Sequence, residues 1–530
     1  LGSVEAIKIN DEPTTYGTSV HSLIFGGLTS QDSLLSGVGT NLYRGLAVLK
    51  NDFSGKNFEG DSLVGRIYLT NESDGLWSWG GSGVYRAGSP TPAVGAFAAT
   101  NVAGGTTGEG LYNIQVTYQN ANGFDGDPST SITVTLAAAE QISLTDIPVN
   151  SDSDYNVSAR KIWIQGGTGG GTTFSSFSLA ATISDNTTTT LTFDPEDADA
   201  ATSQETDNEL PIASKYIAEH YNVMFMAGQA DANLLSFSKT AEAENWPTGN
   251  AIRVSNSGDP IMWIESWDGV LWVYTRARVF QVIGSPGSGT LITNFYLKQS
   301  RSMKGTVSGR SVTHTPYGTF FLAEDGIRRF DGNESFVFSN PIQEEIDSRN
   351  SNSEVEEKTV GAFWDDKLVV SFATGSSTSN NHTVIYDFRA QQAGVEFPWY
   401  THNKGYNDFA VDRKNNLLYC ATSSGIERFR RGMTYEAWEL EKQFPVPADR
   451  YHAYGKFQID MVGEATANIY YNDSLAQSYA LSQSSRGLVT RRFPSGLAQR
   501  ATLELIGAAS TSKAEVFSIG YSAEEQRGQV

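Results

Sequence analysis

Two stretches of this chain, Gly326-Ile327-Arg328-Arg329-Phe330 and Gly425-Ile426-Glu427-Arg428-Phe429, follow one pattern. Gly83-Val84-Tyr85-Arg86 echoes it. A turn and an apolar run precede each copy: Gly75-Leu76-Trp77-Ser78-Trp79, Gly318-Thr319-Phe320-Phe321-Leu322 and Asn416-Leu417-Leu418-Tyr419-Cys420. Looser copies are Trp267-Asp268-Gly269-Val270-Leu271-Trp272 with Arg278-Val279-Phe280, and Asp365-Asp366-Lys367-Leu368-Val369-Val370 with Val384-Ile385-Tyr386-Asp387. Strand–turn–strand units recurring every roughly 40 to 50 residues suggest the blades of a β-propeller, because one blade cannot bury both of its faces alone. The alternative is a set of unrelated β-meanders. About one unit precedes residue 98 and five follow residue 210.

The remainder is also β in pattern. Runs such as Val223-Met224-Phe225-Met226-Ala227 and Val270-Leu271-Trp272-Val273-Tyr274 are apolar on both faces, as in sheets covered on both sides. Between about Thr100 and Leu210 the pattern changes. Tyr112, Ile114, Val116 and Tyr118 alternate with polar residues, as do Ile132, Val134 and Leu136. Strands also fit Lys161–Gln165 and Thr188–Phe193. One apolar face per strand predicts a sandwich of immunoglobulin or fibronectin-III type, without the cysteine pair of an antibody domain. Alternation returns in Phe457, Ile459 and Met461 and in Leu503 and Leu505, predicting a terminal β-sandwich. The expected organisation is an all-β chain: an N-terminal arm (1–40), a first blade (41–98), an inserted sandwich (99–210), the remaining blades (211–433) and a C-terminal β-sandwich (434–530). Helical signal is confined to Asn340–Ile346, where Asn340 suits a cap and Pro341 the first turn.

Composition narrows function. Of 530 residues, 59 are Asp or Glu and 38 Lys or Arg, a net charge of −21. That balance argues against tight binding of duplex DNA, which needs phosphates neutralised by Lys and Arg. Aromatic residues at 11% argue against a disordered acidic tail. The one cysteine, Cys420, allows no intrachain disulfide and no cysteine-based zinc site. No apolar run is long enough to span a membrane as a helix, and the N-terminal residues lack the pattern of a signal peptide.

The search for chemistry yields little. His21, His220, His314, His382, His402 and His452 have no metal-ligand spacing and are expected at the surface or in loops. The glycines of 166–171 lead into a strand, not the helix a phosphate loop requires. Acidic loops at 151–154 and 194–197 offer oxygens for Ca²⁺ but no complete binding loop, and are expected to be solvated turns. A propeller glycosidase needs two carboxylates flanking its substrate. Glu265, Asp268, Glu324, Asp325 and Asp387 fall near blade turns, as acids of any propeller would. Ser73-Asp74-Gly75-Leu76-Trp77 misses the spacing of a sialidase Asp-box. Arg328, Arg329, Arg428, Arg430 and Arg431 follow the blade repeat and suit ion pairs between blades. Trp77, Trp79 and Tyr85 suit core packing better than stacking on sugars. No enzymatic reading, and no cofactor or metal, is expected.

A resemblance lies in Tyr216–Gly228, Asn233–Ser238, Glu244-Asn245-Trp246-Pro247, Asp259-Pro260-Ile261 and Asp268–Tyr274. This order of apolar strand, serine, short acidic link, Trp-Pro and glycine-led strand resembles the β-propeller tail nozzle or tail hub proteins of short-tailed bacteriophages. The resemblance implies a virion structural protein without catalysis. It implies a homohexameric ring below portal and adaptor proteins, beside tail needle or fibre proteins, with duplex DNA passing through the lumen without specific binding. It also implies assembly in the bacterial cytoplasm and no membrane insertion. Arg486, Arg491, Arg492 and Arg500 cluster in the terminal sandwich and are the expected subunit or partner contacts. The alternatives are a phage receptor-binding or decoration protein and a propeller glycoside hydrolase.

Overall fold

A computed structural model describes residues 14–429 and 438–525, apart from 17–18, 29–31, 106–108, 138–139, 168–172, 257, 287–293, 393, 395–397, 445–451, 472–473, 494–496, 499–500 and 508–514. The chain is nearly all β. It divides into two compact units, 1–429 and 430–530.

Among the described residues the first unit contains seven four-stranded antiparallel sheets. In chain order they span Val20–Lys50, Glu59–Arg86, Tyr216–Arg253, Ile261–Gln299, Thr313–Val337, Val360–His402 and Asp408–Arg428. Each is a meander, except that the seventh takes its fourth strand from Thr14–Thr15, paired with Gly425 and Ile426. The first strands of the sheets neighbour one another in a closed cycle, with the short turn Gly309–Ser311 standing in at the fifth position. That propeller-like cycle explains the doubly apolar runs. Val223–Ala227 is buried throughout and Val270–Thr275 nearly so, since each middle strand is covered by a sheet on either side. Phe225, Leu235, Ile264 and Val273 of the third and fourth sheets share one core, and Phe320, Leu322, Leu368 and Val384 of the fifth and sixth share another.

Two expectations are corrected. Val20–Gly27 and Asp32–Val38, read as part of an N-terminal arm, form two strands of the first sheet, and Thr14–Thr15 close the seventh. Two sheets, not one blade, therefore precede the inserted segment. The first carries no Gly-Ile-x-Arg motif, so the repeat pattern passed over it.

Residues 98–203 form a three-stranded sheet (98–103, 140–145, 191–193) and a five-stranded one, in the order 132–136, 110–120, 157–166, 174–183, 199–203. Tyr112, Ile114 and Val116 meet Ile142, Leu144 and Phe193 in one core. At 340–347 a 3-10 turn runs into a short α-helix. Ser339, not Asn340, precedes it, and Ile342 and Ile346 are both buried.

The described residues of the second unit form one connected six-stranded sheet built on two long strands, His452–Tyr471 and Ser474–Arg492. The register shifts between Met461 and Gly463. Phe457 pairs in register with Arg491, yet its ring lies 5.7 Å from that of Tyr479, which pairs with Ala467. Only a hairpin folded back on itself brings those rings together. The expected terminal sandwich is thus a single sheet doubled over.

Candidate functional site at the axis of the ring

A polar cluster centred on Arg310 lies inside the cycle of first strands. Gly309 packs so closely on the fourth sheet that a Cβ there would run into the Met262 carbonyl oxygen. This fixes the base of Arg310. Its guanidinium Nε donates to Glu59 Oε1 at 2.5 Å, Nη2 to the Phe58 carbonyl at 3.1 Å and Nη1 to the His21 carbonyl at 3.1 Å. Nη1 also lies 3.8 Å from Asp408 Oδ2. Those partners belong to the second, first and seventh sheets, whereas the turn bearing Arg310 sits between the fourth and sixth. The side chain therefore crosses the axis. It is 9% exposed and its Glu59 partner 19%.

The acids around it join neighbouring sheets. Asp408 Oδ2 accepts the Leu23 N–H at 2.7 Å, tying the seventh sheet to the first. Asp61 Oδ2 accepts the Glu219 N–H at 2.7 Å, tying the second to the third. Burial pushes the Glu59 carboxyl up to about 7, with Arg310 opposing and Asp408 adding to the rise. Burial likewise pushes Asp61 up to about 6, against the Glu219 and Ser62 N–H groups that favour its anion. Asp408 moves up for the same reason.

A second contact crosses the axis. The Arg413 guanidinium, in a turn of the seventh sheet, lies 5.6 Å from the centre of the Trp267 ring in the fourth. The Trp267 ring also stacks on His314 of the fifth sheet at 4.9 Å. His314 Nε2 stands 3.1 Å from Glu265 Oε2, which also accepts the Trp263 Nε1–H at 3.0 Å.

The carboxylates singled out from sequence are not gathered into one site. Glu265 is held as above. Asp268 sits in a two-residue turn with φ 51°. Glu324 pairs with Lys304 and Arg276, Asp325 with Arg328, and Asp387 with Lys367. Among the described residues no group of three or more His, Cys, Asp or Glu is placed to hold a metal ion. Asp152 and Asp194 cap short 3-10 turns, and Asp154 pairs with Lys50 at 2.8 Å. Gly166 ends a strand, and 168–172 lie outside the described residues. Asp74 organises its own turn by accepting from Ser54 and Asn71.

Three other expectations change. His220, His314 and His382 are buried, not at the surface, because their strands are covered on both faces. Arg328 bonds within its own sheet to Asp325 and Ser335, and Arg329 and Arg428 lie against Phe336 and Tyr419 of theirs, so these contacts of the repeat arginines stay within sheets. Arg430 and Arg431 lie outside the described residues. Trp77 and Trp79 are 4% and 0% exposed and serve the core. Of the terminal arginines, Arg491 is half-buried and donates to the Thr490 carbonyl. Arg486 and Arg492 lie on the strand ending at Arg492, their side chains outside the described residues, as is Arg500. Sequence reading missed Arg310, which stands outside every repeat. An acid opening a strand, as Glu59 and Asp408 do, was the available signal.

No family model matches the sequence, and no curated protein matches it. Similar solved structures include Sqt1 of Saccharomyces cerevisiae, at 9% identity and a TM-score of 0.31, covering 79% of this chain and 97% of that one. Hsv2 of Kluyveromyces lactis gives 7% and 0.27, over 77% and 99%. An exo-β-1,3-galactanase of Phanerochaete chrysosporium gives 7% and 0.19, over 80% and 98%. Scores this low carry no functional argument.

Proposed function

We propose that this chain is a structural, non-enzymatic subunit of the tail of a short-tailed bacteriophage, a nozzle or hub protein forming a homohexameric ring around the path of the ejected genome. In this reading the seven sheets are propeller blades, residues 98–203 an inserted immunoglobulin- or fibronectin-III-like module, and the second unit a platform for partner tail proteins. The observation that carries it is the order of parts: sheets, a separately cored module, more sheets, then a folded terminal sheet. The nozzle resemblance implies such an order of parts, and the motifs of Tyr216–Tyr274 that carry it lie in the third and fourth sheets.

The axial contacts define where DNA would run. Arg310 and the Arg413–Trp267 pair cross the ring of sheets, so a duplex would pass between subunits rather than through any one of them. A net charge of −21 suits a wall over which phosphates slide without counterion-releasing contacts. Native mass spectrometry with particle imaging of the purified chain tests the proposal. A hexameric ring with an open lumen supports it. Trimers would favour an attachment role, and monomers with glycosidase turnover an enzyme.

A further inference from the structure

In four sheets a two-residue turn joins the first strand to the second, and both turn residues have positive φ. The angles are 47° and 71° at Val64-Gly65, 53° and 58° at Tyr221-Asn222, 51° and 73° at Asp268-Gly269, and 51° and 56° at Asp365-Asp366. Gly, Asn and Asp suit that conformation, whereas a β-branched valine is strained in it. Yet Val64 is 70% exposed and Tyr221 49%, so packing within the chain does not offset the strain. Strained apolar residues held at a surface point to contact with something outside it.

These turns gather at one end of the ring of sheets. The Tyr221 hydroxyl donates to the Gly269 carbonyl at 3.3 Å, and the Trp364 Nε1–H to the Asn416 carbonyl in the turn of the seventh sheet at 2.9 Å. Arg413, which lies over Trp267, and Lys414 are exposed there, and among the described residues no carboxylate pairs with either. The opposite end is built from the segments leading into the first strands. Lys215, before the third sheet, meets Glu72 in the far turn of the second at 3.2 Å and Glu357, before the sixth, at 3.7 Å. The short helices Gln343–Asp347 and Ser353–Glu356 lie at this end. Gln343 donates to the Asp325 carbonyl at 3.4 Å, and Asp325 stands at the other end of Gly318–Ala323 from the turn at 316–317. Glu344 and Glu354 are exposed on those helices. Met303 is 71% exposed beside Lys304, which pairs with Glu324.

We propose that the chain binds a second copy of itself head to tail, with Val64, Tyr221 and Arg413 at one end of the ring of sheets seated on the segment of Glu344 and Glu354 at the other end of its neighbour. Charge selects the occupant. A polyanion such as duplex DNA would meet Asp268, Asp365 and Asp366 on the same turns. Two carboxylates on short helices match Arg413 and Lys414, and Met303 offers apolar surface to Val64 and Tyr221. A contact between unlike ends is heterologous, so it makes a ring where its rotation closes and a filament where it does not. This inference rests on the proposed ring only for the number six.

Sedimentation velocity and native mass spectrometry of the full chain test it with two variants. One is Val64→Asn with Tyr221→Asn and Arg413→Ser, and the other is Glu344→Arg with Glu354→Arg. Wild type should self-associate, and each variant alone should do so at least about tenfold more weakly. Mixed, the two variants keep one complementary pair of ends between them, so they should form a one-to-one dimer that grows no further. Val64→Asn alone relieves the strained turn and should melt no lower than wild type when both are dilute. Should the triple variant not fold, the Glu344→Arg, Glu354→Arg chain still reads the other end. A wild type that stays monomeric at high concentration, association untouched by either variant, a mixture of folded variants that does not pair, or a Val64→Asn chain that melts lower would overturn the contact. A wild-type oligomer of another number, with variants behaving as expected, would overturn the hexamer and keep the contact.

Discussion

The Glu244 carboxylate accepts the Asn122 side-chain amide at 2.7 Å and joins two parts of the fold that the sequence keeps far apart. Glu244 belongs to the third sheet's outer loop, and Asn122 to a turn of the inserted module. The same carboxylate accepts the Gly88 N–H, the Asn120 amide and the Tyr68 hydroxyl. It is fully buried, and burial raises its pKa. All four partners are donors, so the site wants an acceptor on both oxygens. Glu244→Gln turns one oxygen into a donor facing donors. The expected loss is about 2–3 kcal/mol of stability, as for a buried group left unsatisfied. Denaturant unfolding checks this. A Gln variant as stable as wild type would mean the junction is held elsewhere.

Trp77 shows how a residue suited in principle to sugar binding is committed to packing. Its ring meets Phe53 edge-on at 5.1 Å. The Lys50 ammonium lies 4.8 Å from its centre and the Arg86 guanidinium 5.5 Å. Its N–H donates to the Asp74 carbonyl at 2.9 Å. Trp77→Ala should cost about 3–5 kcal/mol, in the range of large aromatic truncations in cores. Soluble oligosaccharides should not protect wild-type tryptophan fluorescence from quenching. Saturable protection lost in Trp77→Ala would reverse that assignment.

Alternation was the most legible signal. Tyr112, Ile114 and Val116 point to one core because strand side chains alternate, and this holds whatever the sheet packs against. The doubly apolar run Val270–Tyr274 likewise announced a sheet covered on both faces. The first sheet was less legible, since Val20–Gly27 carries apolar residues without the glycine-led arginine motif. The axis could not be read at all. Arg310 and Glu59 stand 251 residues apart, and nothing local to either announces the other. Their meeting follows from closure of the cycle, a property of all seven sheets together. The buried histidines share this origin: His220 and His314 have ordinary strand neighbours, and only the next sheet round covers them.

On activity, the acids that a glycosidase would use are engaged with cations, an indole N–H or a turn. The purified chain is expected to release no reducing ends from polysaccharide or peptidoglycan. A reducing-sugar assay over hours at high protein concentration is sensitive enough to decide. Turnover that Glu265→Gln abolishes would contradict the structural role proposed here.

The last prediction concerns the assembly and its charge. Duplex DNA carries one negative charge per ~1.7 Å of axis, so a lumen rich in Lys and Arg would hold the genome instead of releasing it. A subunit with an excess of 21 acids can line such a passage with acidic or neutral surface only if its basic residues are turned elsewhere. Arg486, Arg491, Arg492 and Arg500 concentrate positive charge in the second unit, and the proposal places them at contacts with neighbouring subunits or partner tail proteins. Heterologous contacts that close on themselves generate a ring, and breaking one kind of contact breaks every interface in it. Arg491→Glu combined with Arg492→Glu should therefore convert hexamers to smaller species in native mass spectra while leaving the melting of the first unit unchanged. Duplex DNA should show no saturable binding to the wild-type ring at physiological salt, and lowering the salt should not restore it, because an acidic wall has no counterion-release term to gain. A stoichiometry other than six, or a lumen lined by those arginines that binds duplex with steep salt dependence, would overturn the assignment and favour an attachment protein.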